Sequence, residues 1–257
     1  MKEFYYGSAW HWPLQHIPRV MLSYNFIRSL KNPWKIDIPF MLDSGAYSVI
    51  LKYGKYPYSI EEYAKAIEIW KPDIAWTMDY PCEPSIQAKG KYTPWKAQEM
   101  TIQNQIKLQE LGIKTSMVVQ GWDINDYLEN LDIIKEYGLL TERLGIGSIC
   151  RRNKEKEIAR IIRAIHNNVP GWVKLHAFGI KISVLQKTDA RYFLFSADSS
   201  AWAYQWNFRH VEKIRNNEKF QIKDKVDGLY QYMNKIENIL LEKKNTIEKW
   251  IIEEARA

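Results

Sequence analysis

Cysteine is almost missing from this sequence: Cys82 and Cys150 are the only two among 257 residues, and they form no CxxC pair. A structural zinc site asks for about four clustered Cys and His ligands. Two distant cysteines and five histidines do not supply them in the usual spacing. His11, His16 and His176 each stand alone, so no metal is expected, and His176 reads as satisfying a partner inside the fold or lining a pocket. So little thiol fits a reducing compartment, and a cytoplasmic location is expected. Long apolar runs are lacking too. None approaches the roughly 18 residues of a membrane span, and the opening MKEFYYGSAW holds no continuous apolar stretch of the kind a secretory signal needs. No membrane partner is therefore expected. Neither a P-loop nor a dinucleotide-binding glycine pattern occurs, so no nucleotide or redox cofactor is expected. There are no repeats, no low-complexity tracts and no Pro/Gly/Ser linker, and residues 1–257 read as one domain.

What is present points to a large core and an anionic partner. Apolar residues make up 46% of the chain, enough to fold without a covalent or metal staple. The 11 Trp and 16 Tyr include more aromatics than a core needs, and the surplus can stack on nucleobases. A formal net charge of +7 draws polyanions toward the surface. Nucleic acid or an anionic surface fits that charge, as does the solvated exterior of any lysine-rich protein.

Short apolar runs alternate with segments of helical period, the pattern of βα units. The spacing predicts strands at Glu3–Gly7, Pro39–Leu42, Ile74–Met78, Thr115–Gln120, Arg143–Ile146, Val173–Phe178 and Tyr192–Ala197. Their near-continuous apolar character suits a parallel sheet covered on both faces. Helices start readably between them. Ser59 with Glu62 has capping-box spacing, Thr93 precedes Pro94, Asp123 or Asn125 can cap the next helix, and Lys154–Asn167 runs until Pro170 and Gly171. Seven clear strands and one irregular unit predict a (β/α)8 TIM-type barrel, with a doubly wound open sheet as the alternative. From Val211 onward the composition turns charged, and 211–257 reads as a helical C-terminal extension packed on the barrel. Within it, Lys235–Ala255 carries Ile236, Ile239, Leu240, Ile247, Trp250 and Ile251 on one stripe.

In such a barrel the polar residues at the C-terminal strand ends face the active site. Read in order, those ends are Asp43-Ser44-Gly45-Ala46-Tyr47, Met78-Asp79-Tyr80, Val119-Gln120-Gly121, Gly145-Ile146-Gly147-Ser148, His176-Ala177-Phe178-Gly179 and Ala197-Asp198-Ser199-Ser200. One Asp after a strand is ordinarily a cap or turn residue, but three at the same end of one sheet form a constellation. One carboxylate so placed can attack an anomeric carbon, and another can shuttle protons to the leaving group and from the entering one. A Gln beside an Asp offers the donors and acceptors that read a guanine-like edge. The residues alone stop at a barrel with an acidic, purine-capable pocket, which a barrel hydrolase acting on a sugar through Asp43 and Asp198, or a non-catalytic nucleic-acid-binding subunit, would also present.

The motifs DSGAY, VVQG, LGIGS, HAFG and the late Asp198 together resemble the tRNA-guanine transglycosylase superfamily, in order and spacing from Asp43 to Asp198. The resemblance implies Asp198 as nucleophile and Asp43 as general acid/base. It implies that Asp79 and Gln120, with Gly121, bind the base edge, that Tyr47 and Phe178 sandwich the base, and that Gly145 and Gly147 lie along it. There are departures. Trp122 follows Gly121 where the family has a second Gly, Glu142-Arg143 stands where it has Gly-Gly, and Ser148 replaces a Glu that accommodates an aminomethyl group on the base. The zinc-binding insertion that supports tRNA recognition is missing. This compact form, with SADSSAW around Asp198, is similar to the branch that inserts 7-deazaguanines into DNA in phages and bacterial modification islands. The resemblance thus implies DNA as substrate, with tRNA as the alternative. It implies a free base such as 7-cyano-7-deazaguanine as co-substrate and no cofactor. Arg151, Arg152 and Lys154, just after the fifth predicted strand, are the candidates for phosphate contacts, or else the solvated start of the next helix.

Overall fold

Eight short runs of the chain pair in parallel to form one sheet. They are β1 (Glu3–Ser8), β2 (Val20–Ser23), β3 (Phe40–Asp43), β4 (Ile74–Ala75), β5 (Met117–Val119), β6 (Arg143–Ile146), β7 (Lys174–Ala177) and β8 (Ser196–Ser199). The structure is a computed structural model. It describes residues 1–30, 32–203 and 222–254, with the backbone alone at 222–224 and 242–254. The strand order is β4-β3-β2-β1-β8-β7-β6-β5. First and last strands lie side by side, Tyr5 opposite Asp198, which is the pairing of a TIM-like fold and not of a doubly wound sheet. The sheet curls, but no ladder joins its edges. β4 and β5 meet at one parallel bridge, Trp76 to Ser116. There Ser116 N–H donates to Ala75 O (2.8 Å) and Thr77 N–H to Ser116 O (3.0 Å).

The strand missing from the sequence reading is β2. It is four residues long and follows Pro18 and Arg19, so it lacks the length a periodic pattern needs. Two expected strands are also corrected. The segment read as Tyr192–Ala197 is a helical turn, Ala190–Phe193, before β8 begins at Ser196. The segment read as Ile74–Met78 keeps ladder pairing only at Ile74 and Ala75. The helix starts hold: Ser59 and Glu62 close a capping box, and Thr93 caps Pro94–Glu110 through Lys96 N–H. A helix spans Ile222–Glu254, longer than the Lys235–Ala255 reading. Tyr232 packs its ring 6.3 Å from those of Phe4 and Tyr6, and Ile236 and Ile239 are buried. Ile247, Trp250 and Ile251 belong to the same expected stripe, but their side chains, like all of 211–221, lie outside the described residues.

Most apolar side chains pack between sheet and helices. A smaller cluster of Tyr5, Met21, Met41, Trp76 and Val118 fills the concave inside of the sheet. Strand side chains alternate faces, so the residue two positions on from an inward one points inward again, one layer nearer the C-terminal mouth. Met41 is followed by Asp43, Val118 by Gln120, His176 by Phe178 and Ser196 by Asp198. The inner core therefore aims the mouth residues. β4 breaks the rule. Its pairing ends early, Met78 packs into the outer core, and Asp79 reaches the pocket instead.

Candidate active site

The turn after β3 is shaped around Asp43. Its Oδ2 accepts the N–H of Gly45 at 3.0 Å, and Gly45 sits at φ +87°, a conformation that only glycine adopts freely. A Cβ on Gly45 would also collide with the Ser23 hydroxyl. Asp43 faces two other carboxylates. Burial first, then the charges of Asp79 and Asp198, push its pKa up to about 8, so it carries a proton at neutral pH.

Asp198, at the matching place on β8, is supplied with donors. Its Oδ1 accepts the N–H of Gly179 at 2.9 Å and faces His176 Nε2 at 3.3 Å. The other ring nitrogen, Nδ1, is hydrogen-bonded with the Ser196 hydroxyl, 2.9 Å away. The Ser196 oxygen in turn accepts from Arg143 Nη1 at 3.4 Å, and the same Nη1 donates to Glu3 Oε2 at 3.0 Å. A polar chain thus runs down the inside of the sheet from Asp198. The His176 ring is fully buried, held 5.0 Å from Trp76 and 4.9 Å from Phe178. Asp198 lines the cavity, and its Oδ2 has no hydrogen bond among the described residues.

Across the mouth, Asp79 and Gln120 hold one another. Gln120 is fully buried. Its Nε2 donates to Asp79 Oδ2, and its Oε1 accepts the Ser148 hydroxyl at 2.5 Å. Ser148 Oγ accepts from Cys82 N–H at 2.6 Å, and its backbone adopts φ +56°. The position where the resembling family has a Glu is thereby turned inward to brace Gln120. Asp79 Oδ1 also accepts the Ser44 hydroxyl at 3.3 Å. Burial raises the Asp79 pKa to about 7 against the opposing pull of these hydrogen bonds. Gly147 allows the network to close, because any Cβ there would strike the Gln120 amide.

One cavity of about 390 Å³ gathers Asp43, Tyr47, Asp79, Gln120, Gly147, Phe178 and Asp198, with Arg151 at its edge. That volume lies in the range of small-ligand sites. Arg151 lies over the Tyr47 ring at 5.1 Å. Two glycines expected along the base are elsewhere. Gly145 sits beneath Phe178 and Trp76, and Gly121 against Tyr127, and neither lines the cavity. Arg152 is no phosphate ligand. It is buried, its guanidinium taken by Glu157, the Trp122 carbonyl and the Ser148 carbonyl. Lys154 is exposed at the start of the helix Glu155–Asn167 and does not line the cavity. The sequence reading missed Met21, Ser23, Glu83, Cys150 and Lys181 as lining residues. Ser23 follows Met21 by two and was findable once β2 was known, whereas Glu83 and Cys150 come from loops that carry no periodic signal. Among the described residues no three His, Cys, Asp or Glu stand together as a metal site, and no helix is long and apolar enough to cross a membrane.

Residues 11–217 match the family model DpdA, DeoxyPurine in DNA protein A. The chain belongs to the DpdA family. The DpdA match takes in β2 through β8, and so both Asp43 and Asp198, and leaves β1 and the C-terminal helix outside it. DpdA is the family of DNA 7-deazaguanine modification. Among curated proteins no match is found.

Proposed function

We propose that this chain exchanges guanine in DNA for a 7-deazaguanine, with Asp198 as nucleophile and Asp43 as acid and then base. On this reading it is a zinc-free DNA branch of the tRNA-guanine transglycosylase superfamily. One observation carries it: Asp43, its pKa raised by burial, and Asp198, held by a backbone N–H and a buried imidazole, line a single cavity together with the hydrogen-bonded Asp79–Gln120 pair. Raising one carboxyl of such a pair fits it to act as the acid and leaves the other for the attack.

The target nucleotide leaves the base stack, since its anomeric carbon is out of reach inside a duplex. Asp198 Oδ2 attacks that carbon, the bond to guanine N9 breaks, and its electron pair leaves with the base. The departing guanine takes the proton held by Asp43, which leaves a sugar ester on Asp198 and an ionised Asp43. The incoming 7-deazaguanine gives its N9 proton to Asp43. Its nitrogen then attacks the anomeric carbon, and the Asp198 ester bond breaks, restoring both carboxyls. Each base lies between Tyr47 and Phe178 and replaces the Asp79–Gln120 bond with its own edge. N1–H and the exocyclic amine donate to Asp79, and O6 accepts from Gln120. Arg151 and Lys154 contact phosphates outside the cavity.

The test is incorporation. Purified protein is offered duplex DNA and, separately, tRNA, with radiolabelled cyano, aminomethyl and amido forms of the deazaguanine in parallel. Label entering DNA is expected. Label entering tRNA alone would move the chain to the tRNA-acting branch. Released guanine without incorporation would make it a hydrolase, and DNA binding without either would make it a non-catalytic subunit.

A further inference from the structure

Asp43 and Asp198 divide the mouth of the sheet unequally. In the strand order only β2 and β1 lie between β3 and β8 on one side, while β4 to β7 lie between them on the other. The base-reading residues Asp79, Gln120 and Gly147 all follow strands of the longer arc. A sugar within reach of both aspartates, its base turned toward that arc, must send its phosphates and its neighbours in the strand over β1 and β2. A second cavity, of about 340 Å³, lies there and is continuous with the first, sharing Met21, Ser23, Phe26, Asp43, Asp198 and Ser200 with it. Gly7 and Trp10 from the loop after β1 wall it on one side, and Phe26 from the turn after β2 on the other.

Its two large apolar walls are partly exposed, Trp10 by 41% and Phe26 by 53%, beside a pair of carboxylates. The loop bearing Trp10 is nevertheless fixed. Ser8 Oγ accepts from Trp10 N–H at 3.1 Å and donates to Trp10 O at 2.9 Å, and the Trp10 ring meets Trp202 edge-on at 6.3 Å. A rigid aromatic face at the edge of a nucleotide site is a stacking platform, tolerant of sequence because every base has a π face.

We propose that this second cavity holds the DNA strand beside the target nucleotide, with a neighbouring base stacked against Trp10 and Phe26. The direction of the strand rests on the base-exchange reading. Strand capture would therefore be assigned to the β1 and β2 loops, in addition to the basic residues after β6.

The test uses the full chain and a fluorescein-labelled single-stranded oligonucleotide of mixed sequence containing guanine, read by anisotropy, alongside incorporation of labelled deazaguanine. W10A and F26A are each expected to weaken oligonucleotide binding about 5- to 150-fold, the range for loss of one stacked base. In W10A, whose ring lines the second cavity and not the first, the KM for the free deazaguanine should stay as in the wild type. The control is W172A. Trp172 is just as exposed, at 54%, but precedes β7 at the opposite end of the sheet, and its loss should leave binding unchanged. A 2-aminopurine next to the target guanine should be quenched on binding wild type and less so by W10A. Wild-type incorporation with W10A and F26A both binding normally would overturn this inference and leave base exchange standing. Weakened binding in both variants without any incorporation would keep the cavity as a strand site and overturn the exchange chemistry. A wild type that binds no oligonucleotide would overturn this inference and leave base exchange to the duplex DNA assay.

Discussion

Asp43 closes β3 and Asp198 stands one residue short of the end of β8, each followed by a serine, yet the two aspartates live under different conditions. At the end of β3, Asp43 accepts a backbone N–H from its own turn and faces two other carboxylates, and its pKa rises to about 8. At the end of β8, Asp198 is offered a backbone N–H and a buried imidazole on one oxygen and open cavity on the other. The same residue is made a proton store in one place and is held by two hydrogen-bonding neighbours in the other. What separates them is the partner strand: β7 brings His176 and Gly179 to Asp198, whereas β4 brings Asp79 toward Asp43. Chemistry at this mouth follows from strand order as much as from residue type.

The sharpest way to break the contrast is D198N. It keeps the shape and removes the attacking charge, so exchange should fall on the order of 10⁴-fold or more, as for other lost nucleophiles. A covalent protein–DNA adduct, visible under denaturing conditions in the wild type, should disappear. An adduct persisting in D198N would move the nucleophile elsewhere.

Asp43 comes next. D43N should lower kcat about 10²- to 10⁴-fold, the usual worth of an acid/base group. The wild type should also lose kcat/KM for DNA as pH rises through about 8, where Asp43 gives up its proton, and that limb should be missing in D43N. Stability moves with the same group. Its pKa is 3.8 ordinarily and about 8 when folded, so its favourable contribution is complete below pH 4 and lost as pH rises toward 8. D43N should therefore melt several degrees above wild type at pH 7, with the gap closing near pH 4. Equal melting points at both pH values would mean that Asp43 is not held protonated.

His176 tests the other aspartate through a positioning role. H176L should slow adduct formation about a hundredfold by letting the carboxylate swing, with the KM for free base unchanged. H176Q, which keeps a donor near the Nε2 position, should recover most of the rate. Equal loss in both variants, with KM raised, would reduce His176 to packing.

The smallest expected effects are at the base edge. D79A and Q120A should each weaken binding of 7-cyano-7-deazaguanine by about 1–3 kcal/mol in calorimetry. Because the two side chains bond to each other, the double variant should lose less than the sum. Full additivity would argue that they act on separate parts of the ligand.

Asp43, Asp79, Gln120, Phe178 and Asp198 were legible in the sequence because each closes an apolar run, and strand ends are where a parallel barrel exposes polar groups. β2 was not, since four residues cannot show a period, and with it went Ser23 and the wall formed by Phe26. Arg152 looked like its neighbour Arg151, yet it turns into the core to meet Glu157 and two carbonyls. Nothing in two adjacent arginine letters distinguishes a surface guanidinium from a buried one. Ser148 read as a lost Glu, and its use as a brace for Gln120 depends on a left-handed backbone that Ser does not announce.

The seam between β4 and β5 bears on how a base gets in. Every other neighbouring pair of strands is zipped by a ladder, while these two touch at Trp76 and Ser116 alone. Asp79 and Gln120 stand a few residues above that single stitch, one on each lip. The sheet can gape there at the expense of two backbone hydrogen bonds, with its remaining ladders intact. Prising apart the Asp79–Gln120 clasp is then a local hinge movement, and a flat heterocycle that bridges the lips would fasten the seam it came through.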